Sequence, residues 1–117
     1  MRVYFLGALL GPLLTTSIVS AQVKVDQATL DKGKRLYLSN CIQCHNKDPN
    51  LKGSLGPELI DAPLEIVYSK VMTGVYPAKL PAGFVPKRSS KVMRKIPKLE
   101  KDIPAIHAWI QSVKKKK

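Results

Sequence analysis

The chain has 117 residues, with 20 Lys and Arg against 8 Asp and Glu and a formal charge of +12. That length fits one small domain. A balance this basic points to nucleic acid, an anionic membrane or an acidic protein partner. The first 21 residues have the pattern of an export signal. Arg2 is the charged start, Val3 to Ile18 is almost uncharged and mostly apolar, and Val19-Ser20-Ala21 is a small-residue cleavage site. Cleavage is predicted after Ala21, leaving a domain over residues 22–117 in the periplasm. The alternative is an uncleaved anchor facing the periplasm. The apolar run is short of the roughly 20 residues a span requires, and Gly7, Gly11 and Pro12 weaken it further. Cleavage removes Arg2 and no acidic residue, so the remaining chain carries +11. Export excludes nucleic acid as the partner.

After a short polar lead-in, Leu30 to Leu38 has helical apolar spacing, with Asp26 or Thr29 as candidate caps. Gly33 inside that helix costs about 1 kcal/mol against alanine, which suggests that another element comes close there. The helix runs into Cys41-Ile42-Gln43-Cys44-His45, a C-x-x-C-H motif that holds both cysteines of the chain. This spacing is that of a c-type haem attachment site. Two thiols three residues apart on one turn reach the two vinyl groups of a haem, and His45 then faces the iron. A thioredoxin-like redox pair needs a βαβ pattern, which is absent. A zinc site needs about four N or S ligands, and only distant His107 adds to the three here. A disulfide across the short loop leaves His45 unexplained.

Residues 46–57 are dense in turn formers, including Asp48-Pro49-Asn50 and Gly53-Ser54-Leu55-Gly56-Pro57. A second helix is expected from Pro63 to Gly74, with Leu64, Val67, Tyr68 and Val71 as its apolar face and Gly74 as its stop. Residues 75–94 have no sustained period and are expected to form an ordered loop that ends near Met93. A third helix is expected from Lys101 to Val113, capped by Asp102, with Pro104 in its first turn. Its apolar stripe is Ile103, Ile106, Trp109, Ile110 and Val113. The run Lys114 to Lys117 has the composition of a solvated, frayed end. No strand is predicted, and an all-α domain with long loops follows.

These residues, taken in order, resemble the class I c-type cytochromes of the small bacterial monohaem kind, over nearly the whole of residues 22–117. Gly33 and Tyr37 precede Cys41 by eight and four residues. C-x-x-C-H follows, and Gly56-Pro57-Glu58-Leu59 is similar to the family's G-P-x-L element. Met93 precedes Ile96-Pro97-Lys98-Leu99 and Asp102-Ile103, and Ile106 and Trp109 match apolar and aromatic positions of the last helix. The resemblance implies a cytochrome c-like fold of three main helices, with long loops wrapped around one haem c. The haem is attached covalently through Cys41 and Cys44. The first and last helices are implied to cross at Gly33. The Pro57 carbonyl would accept a hydrogen bond from the His45 ring, and His45 and Met93 would be the axial iron ligands. Such ligation raises the haem potential. The family often has proline directly after the ligand methionine, where this chain has Arg94. Met72, His107 and Lys91 are therefore rivals for the sixth position.

The expected function is single-electron transfer between redox proteins by a monomeric carrier, with no enzyme activity. No base or nucleophile constellation accompanies the motif. Lys79, Lys87, Arg88, Lys91, Arg94 and Lys95 are expected to rim the exposed haem edge, attract an acidic partner and push the potential upward. The lysine tail offers weak contact with an anionic membrane. The alternative from another class is a ligand-binding or sensing cytochrome with an open or weakly held sixth position. A haem subunit docked permanently on a dehydrogenase or oxidase would share the carrier's chemistry.

Overall fold

The first helix, α1, covers Gln27–Asn40. In the computed structural model it is joined by α2 (Leu64–Thr73), a 3₁₀ turn (Pro97–Asp102) and α3 (Ile103–Ser112). Residues 24–88 and 92–116 are described, together with Gly11, and none of them forms a strand. The fold is all-α, as the patterning predicts. The export signal (apart from Gly11), Lys91 and Lys117 lie outside the described residues.

Helix α1 is longer at both ends than its apolar spacing suggests. Asp26 occupies the cap position with extended backbone, but its side chain makes no capping hydrogen bond, and Thr29 lies inside the helix. At the other end the carbonyls are met from within. Ser39 Oγ donates to Arg35 O at 2.7 Å and Asn40 Nδ2 to Leu36 O at 2.8 Å. The Cys41 amide donates to Tyr37 O at 2.9 Å. Helical hydrogen bonding therefore runs directly into the cysteine motif.

Helix α2 begins after Pro63 and stops at Gly74, whose φ of 80° is left-handed backbone that glycine adopts without steric cost. Its buried face is Ile66, Val67 and Val71. The expected members Leu64 and Tyr68 are 42% and 43% exposed. The stripe is rotated, because the packing of Val67 and Val71 is shared by two overlapping arcs and the core chose the one containing Ile66.

The third helix was expected from Lys101, but residues 97–102 form the tighter 3₁₀ turn and α3 starts at Ile103. Pro104 supplies the reason. It has no N–H to give to the Glu100 carbonyl, and the Ile103 amide serves Glu100 and Leu99 instead. The turn delivers Leu99 and Ile103 into the core, where they are 4% and 0% exposed. Asp102 caps nothing with its side chain, but pairs with Lys32 of α1 at 2.6 Å.

The core lies where α1 crosses α3. A methyl group at Gly33 would overlap the backbone carbonyl of Ala105, so the two helices touch main chain to main chain. Around that contact pack Tyr37, Ile103, Ile106, Trp109 and Ile110, all buried. Each large apolar side chain so buried contributes about 1.5–3 kcal/mol. The Tyr37 and Trp109 rings are 5.0 Å apart and tilted by 47°. Tyr37 also donates its hydroxyl to Asn46 O at 2.6 Å, joining the helix crossing to the loop after His45. Burial, with Cys41 and Asp48 nearby, pushes the phenol pKa up and keeps it a donor.

The lysine tail, expected to be frayed, folds back over part of its length. Lys114 pairs with Asp61 and Lys115 with Asp48, each at 3.0 Å. Asn50 fixes the backbone on both sides, donating to Val113 O at 3.0 Å and accepting from the Lys115 amide at 3.2 Å. Two of the charges meant for a membrane are thus engaged within the domain. Hydrogen bonds from Asn50, and then Lys115, hold the Asp48 carboxyl at about 2, below its usual range. A depressed carboxyl stabilises the folded form above its unfolded value of about 3.9, and that contribution fades as pH falls through about 2. The protection of the Lys115 amide, its exchange relative to an unstructured chain at the same pH, should therefore hold at pH 4 and fall as pH approaches 2. Equal protection at both would contradict the tether.

Candidate functional site

Cys41 opens a tight turn directly after α1. The Cys44 and His45 amides donate to Cys41 O at 3.3 and 2.9 Å, so the motif is one further helical turn with both thiols and the imidazole on a short arc. Both cysteines are free and partly buried. Burial pushes the Cys41 thiol up to about 11, so at neutral pH it is a thiol and not a thiolate. Among the described residues, no three His, Cys, Asp or Glu side chains gather as they would around zinc.

The loop at 53–57 is stitched to this turn. Leu55 and Gly56 amides both donate to Cys44 O, at 3.1 and 2.8 Å, and the Gly53 amide donates to Gly56 O at 2.9 Å. Gly56 lies flat against the imidazole, since a methyl group there would overlap ring atoms of His45. Pro57, next in the chain, presents its carbonyl to His45 Nδ1 at 3.0 Å. A carbonyl can only accept, so Nδ1 carries the proton and Nε2 keeps its lone pair. Burial lowers the His45 pKa below the usual imidazole range, with Lys70 and Arg88 adding to the effect and the Pro57 carbonyl opposing it. The ring is neutral at pH 7, the form that ligates a metal.

Met93 is partly buried against the core. Its amide donates to Gly74 O at 2.7 Å, and the Ile96 amide donates to Val71 O at 2.7 Å. These two bonds dock the Met93 segment along the end of α2. Among its rivals, Met72 lines an open groove of about 720 Å³ with Leu64, Tyr68, Glu100 and Pro104. Lys70, two residues earlier, acts on His45. Met72 also packs against the core, and no contact joins it to His45 among the described residues. His107 is partly buried and donates Nε2–H to Ala62 O at 2.9 Å, which occupies that nitrogen.

The basic set expected to rim the site divides. Lys87 pairs with Glu58 at 2.9 Å and Asp61 at 3.5 Å. Arg88 turns inward, and its Nη2 donates to Gly53 O at 2.9 Å and Gly56 O at 3.3 Å. Lys79, Arg94 and Lys95 are exposed. Arg88 Nε is buried with no hydrogen-bond partner, an unusual state for a guanidinium nitrogen. Two cations acting on His45 were not separable by sequence reasoning. Lys70 resembled any solvated helix lysine, although it lies 4.0 Å over the Tyr76 ring. Arg88 was one of a cluster.

The chain is 35% identical over 109 residues to the cytochrome bc1 complex cytochrome c subunit of Mycobacterium leprae, which spans 91% of this chain and 35% of that protein. It is 33% identical over 109 residues to the subunits of the same name from Mycobacterium bovis and Mycobacterium tuberculosis, covering 91% of this chain and 36% of each. The chain thus spans about a third of the length of these relatives. No protein-family model matches it, and no solved structure does. The C-x-x-C-H turn sits on an all-α frame, and the likeness to cytochrome c subunits runs over nine-tenths of the sequence; the chain belongs to the c-type cytochromes.

Proposed function

We propose that this protein is a periplasmic, monohaem c-type cytochrome of class I that carries single electrons between redox proteins, over residues 22–117 after removal of 1–21. The observation that carries the reading is the His45 ring. Its Nδ1 is committed to the Pro57 carbonyl, and its Nε2 is free on a turn that also bears two unbridged thiols. The residues present fit a haem. Cys41 and Cys44 would hold it by thioethers, His45 and Met93 would be the axial ligands, and the unpartnered Arg88 Nε would meet a haem carboxylate. When bound, the haem supplies an iron that takes up and releases one electron. The single C-x-x-C-H motif supports one such group.

The remaining work belongs to the chain. Pro57 fixes the tautomer and orientation of His45. Gly56 allows the ring to lie against the loop. The Lys70 and Arg88 charges disfavour further positive charge at the site, which raises the potential. Fixed ligands on fixed loops keep reorganisation small. Exposed Lys79, Arg94 and Lys95 would guide an acidic partner. The relatives are named as subunits of a cytochrome bc1 complex, which adds such a complex as a candidate partner. A free carrier and a docked subunit share this chemistry, and co-purification separates them. No described helix is long and apolar enough to cross a membrane.

The test is the absorption spectrum of the haem-loaded protein, with and without Met93→Ala. The wild type is expected to show the weak far-red band of iron–methionine sulfur bonding, and Met93→Ala to lose it and bind CO when reduced. A wild type without that band, whose reduced form takes up CO readily, would place ligand binding ahead of electron transfer.

A further inference from the structure

The two loops that would carry the axial ligands are far apart in sequence, and two neighbouring side chains join them: Lys87 through exposed pairs with Glu58 and Asp61, and Arg88 by turning inward. Arg88 lies five residues before Met93. It donates from Nη2 to Gly53 O at 2.9 Å and Gly56 O at 3.3 Å. Those carbonyls belong to the loop that lies on the His45 ring and presents the Pro57 carbonyl to it. On the other side of Met93, its own amide and that of Ile96 are fastened to Gly74 O and Val71 O, each at 2.7 Å. Met93 is therefore fastened directly to α2, and Arg88, five residues before it, to the histidine loop.

We propose that Arg88 is a positioning residue that latches the Met93 segment to the His45–Pro57 loop, so that the grip of the methionine sulfur on the iron depends on a contact made on the histidine side. This inference rests on the His45/Met93 reading above. The physical argument is reach. With Arg88 in place, the chain is anchored both before and after Met93, which narrows the positions its sulfur can take. Without it, the chain before Met93 is held to the histidine loop only by the exposed Lys87 pairs with Glu58 and Asp61, while the α2 anchor at Gly74 still holds. The arginine fork suits this task, because one planar group meets two carbonyls at once. A lysine retains the charge and offers only a point donor.

The experiment uses the haem-loaded protein with Arg88→Lys and Arg88→Gln. Haem content and far-ultraviolet helicity are read first, and then the pH at which the far-red methionine band disappears, the rate of CO uptake by the reduced form, and the reduction potential. A hydrogen-bonding charged group is worth enough that its loss should raise the methionine-displaced fraction roughly tenfold or more. Both variants are expected to lose the band at lower pH and to take up CO faster, read on the fraction of each that carries haem. The potential should fall more in Arg88→Gln, which also loses the charge. If only Arg88→Gln is affected, charge alone acts and the latch is wrong. It is equally wrong if neither variant moves the band. Should the glutamine variant not mature, the lysine variant decides, since it satisfies the same electrostatic demand. A wild type that lacks the band, or a Met93→Ala variant that keeps it, would instead overturn the ligand reading beneath the latch.

Discussion

Gly33→Val should leave little folded protein, and Gly33→Ala should cost about 2 kcal/mol even though alanine is the better helix former. Two effects compete. Replacing a helical glycine by alanine favours the helix by about 1 kcal/mol. Against it, the new methyl group would overlap the Ala105 carbonyl of α3, which is backbone and has no rotamer to yield. The helices must then move apart, which loosens Tyr37, Ile106, Trp109 and Ile110 together. Overpacking of this kind costs about 1–3 kcal/mol and at times more, so the clash wins. Set against the 5–15 kcal/mol of a typical domain, the loss for valine approaches the whole. Thermal unfolding of the haem-loaded protein checks this, with Lys34→Ala as the control. Lys34 is its exposed neighbour on α1. About 2 kcal/mol corresponds to a fall in Tm of roughly 8–16 °C. A Gly33→Ala variant that melts higher than wild type would show that the crossing is not tight.

That contact was legible in the sequence because its parts have short, fixed spacings. Gly33, Tyr37 and Cys41 are four residues apart in turn, so one helix face carries the crossing and the start of the motif, and Ile106 and Trp109 repeat the logic on α3. The motif itself needed no tertiary information. What the sequence left open depends on partners far along the chain. The tail lysines meet Asp48 and Asp61, 67 and 53 residues away, and a count of charges says nothing about which pairs form. Arg88 was one basic residue among six, and only its 32- and 35-residue contacts with Gly56 and Gly53 distinguish it from Lys79. The apolar face of α2 was misjudged for another reason. Leu64, Val67, Tyr68 and Val71 satisfy helical periodicity as well as Ile66, Val67 and Val71 do, and only the shape of the opposing core separates the two. The 3₁₀ turn before α3 was missed because Asp102 and Pro104 mark a helix start in either geometry.

Gly56→Ala should leave the fold intact and damage the site. Gly56 is buried beside the imidazole, and an added methyl would overlap three of its ring atoms. A side chain gives way more easily than backbone, so His45 rather than the loop would move. The loop has little freedom in any case. Its Leu55 and Gly56 amides are held by Cys44 O, and its carbonyls at Gly53 and Gly56 by Arg88. As the ring turns, Nδ1 leaves the Pro57 carbonyl, now 3.0 Å away. A buried donor then loses its acceptor, which costs about 1–3 kcal/mol, and Nε2 no longer points along the turn shared with the thiols. Loss of such an orienting partner weakens metal ligation by roughly 10–100-fold. The variant should therefore keep its helical signal and its covalently attached haem, while acid releases the histidine from the iron at a pH about one to two units higher than in wild type. The apo form offers an independent reading. The His45 ring should titrate closer to the ordinary imidazole value, since its burial, the largest cause of the depression, is relieved. A variant with wild-type acid release of the histidine and an unchanged His45 titration would mean that the ring does not rest on Gly56, and the account of how the Pro57 loop orients it would fall.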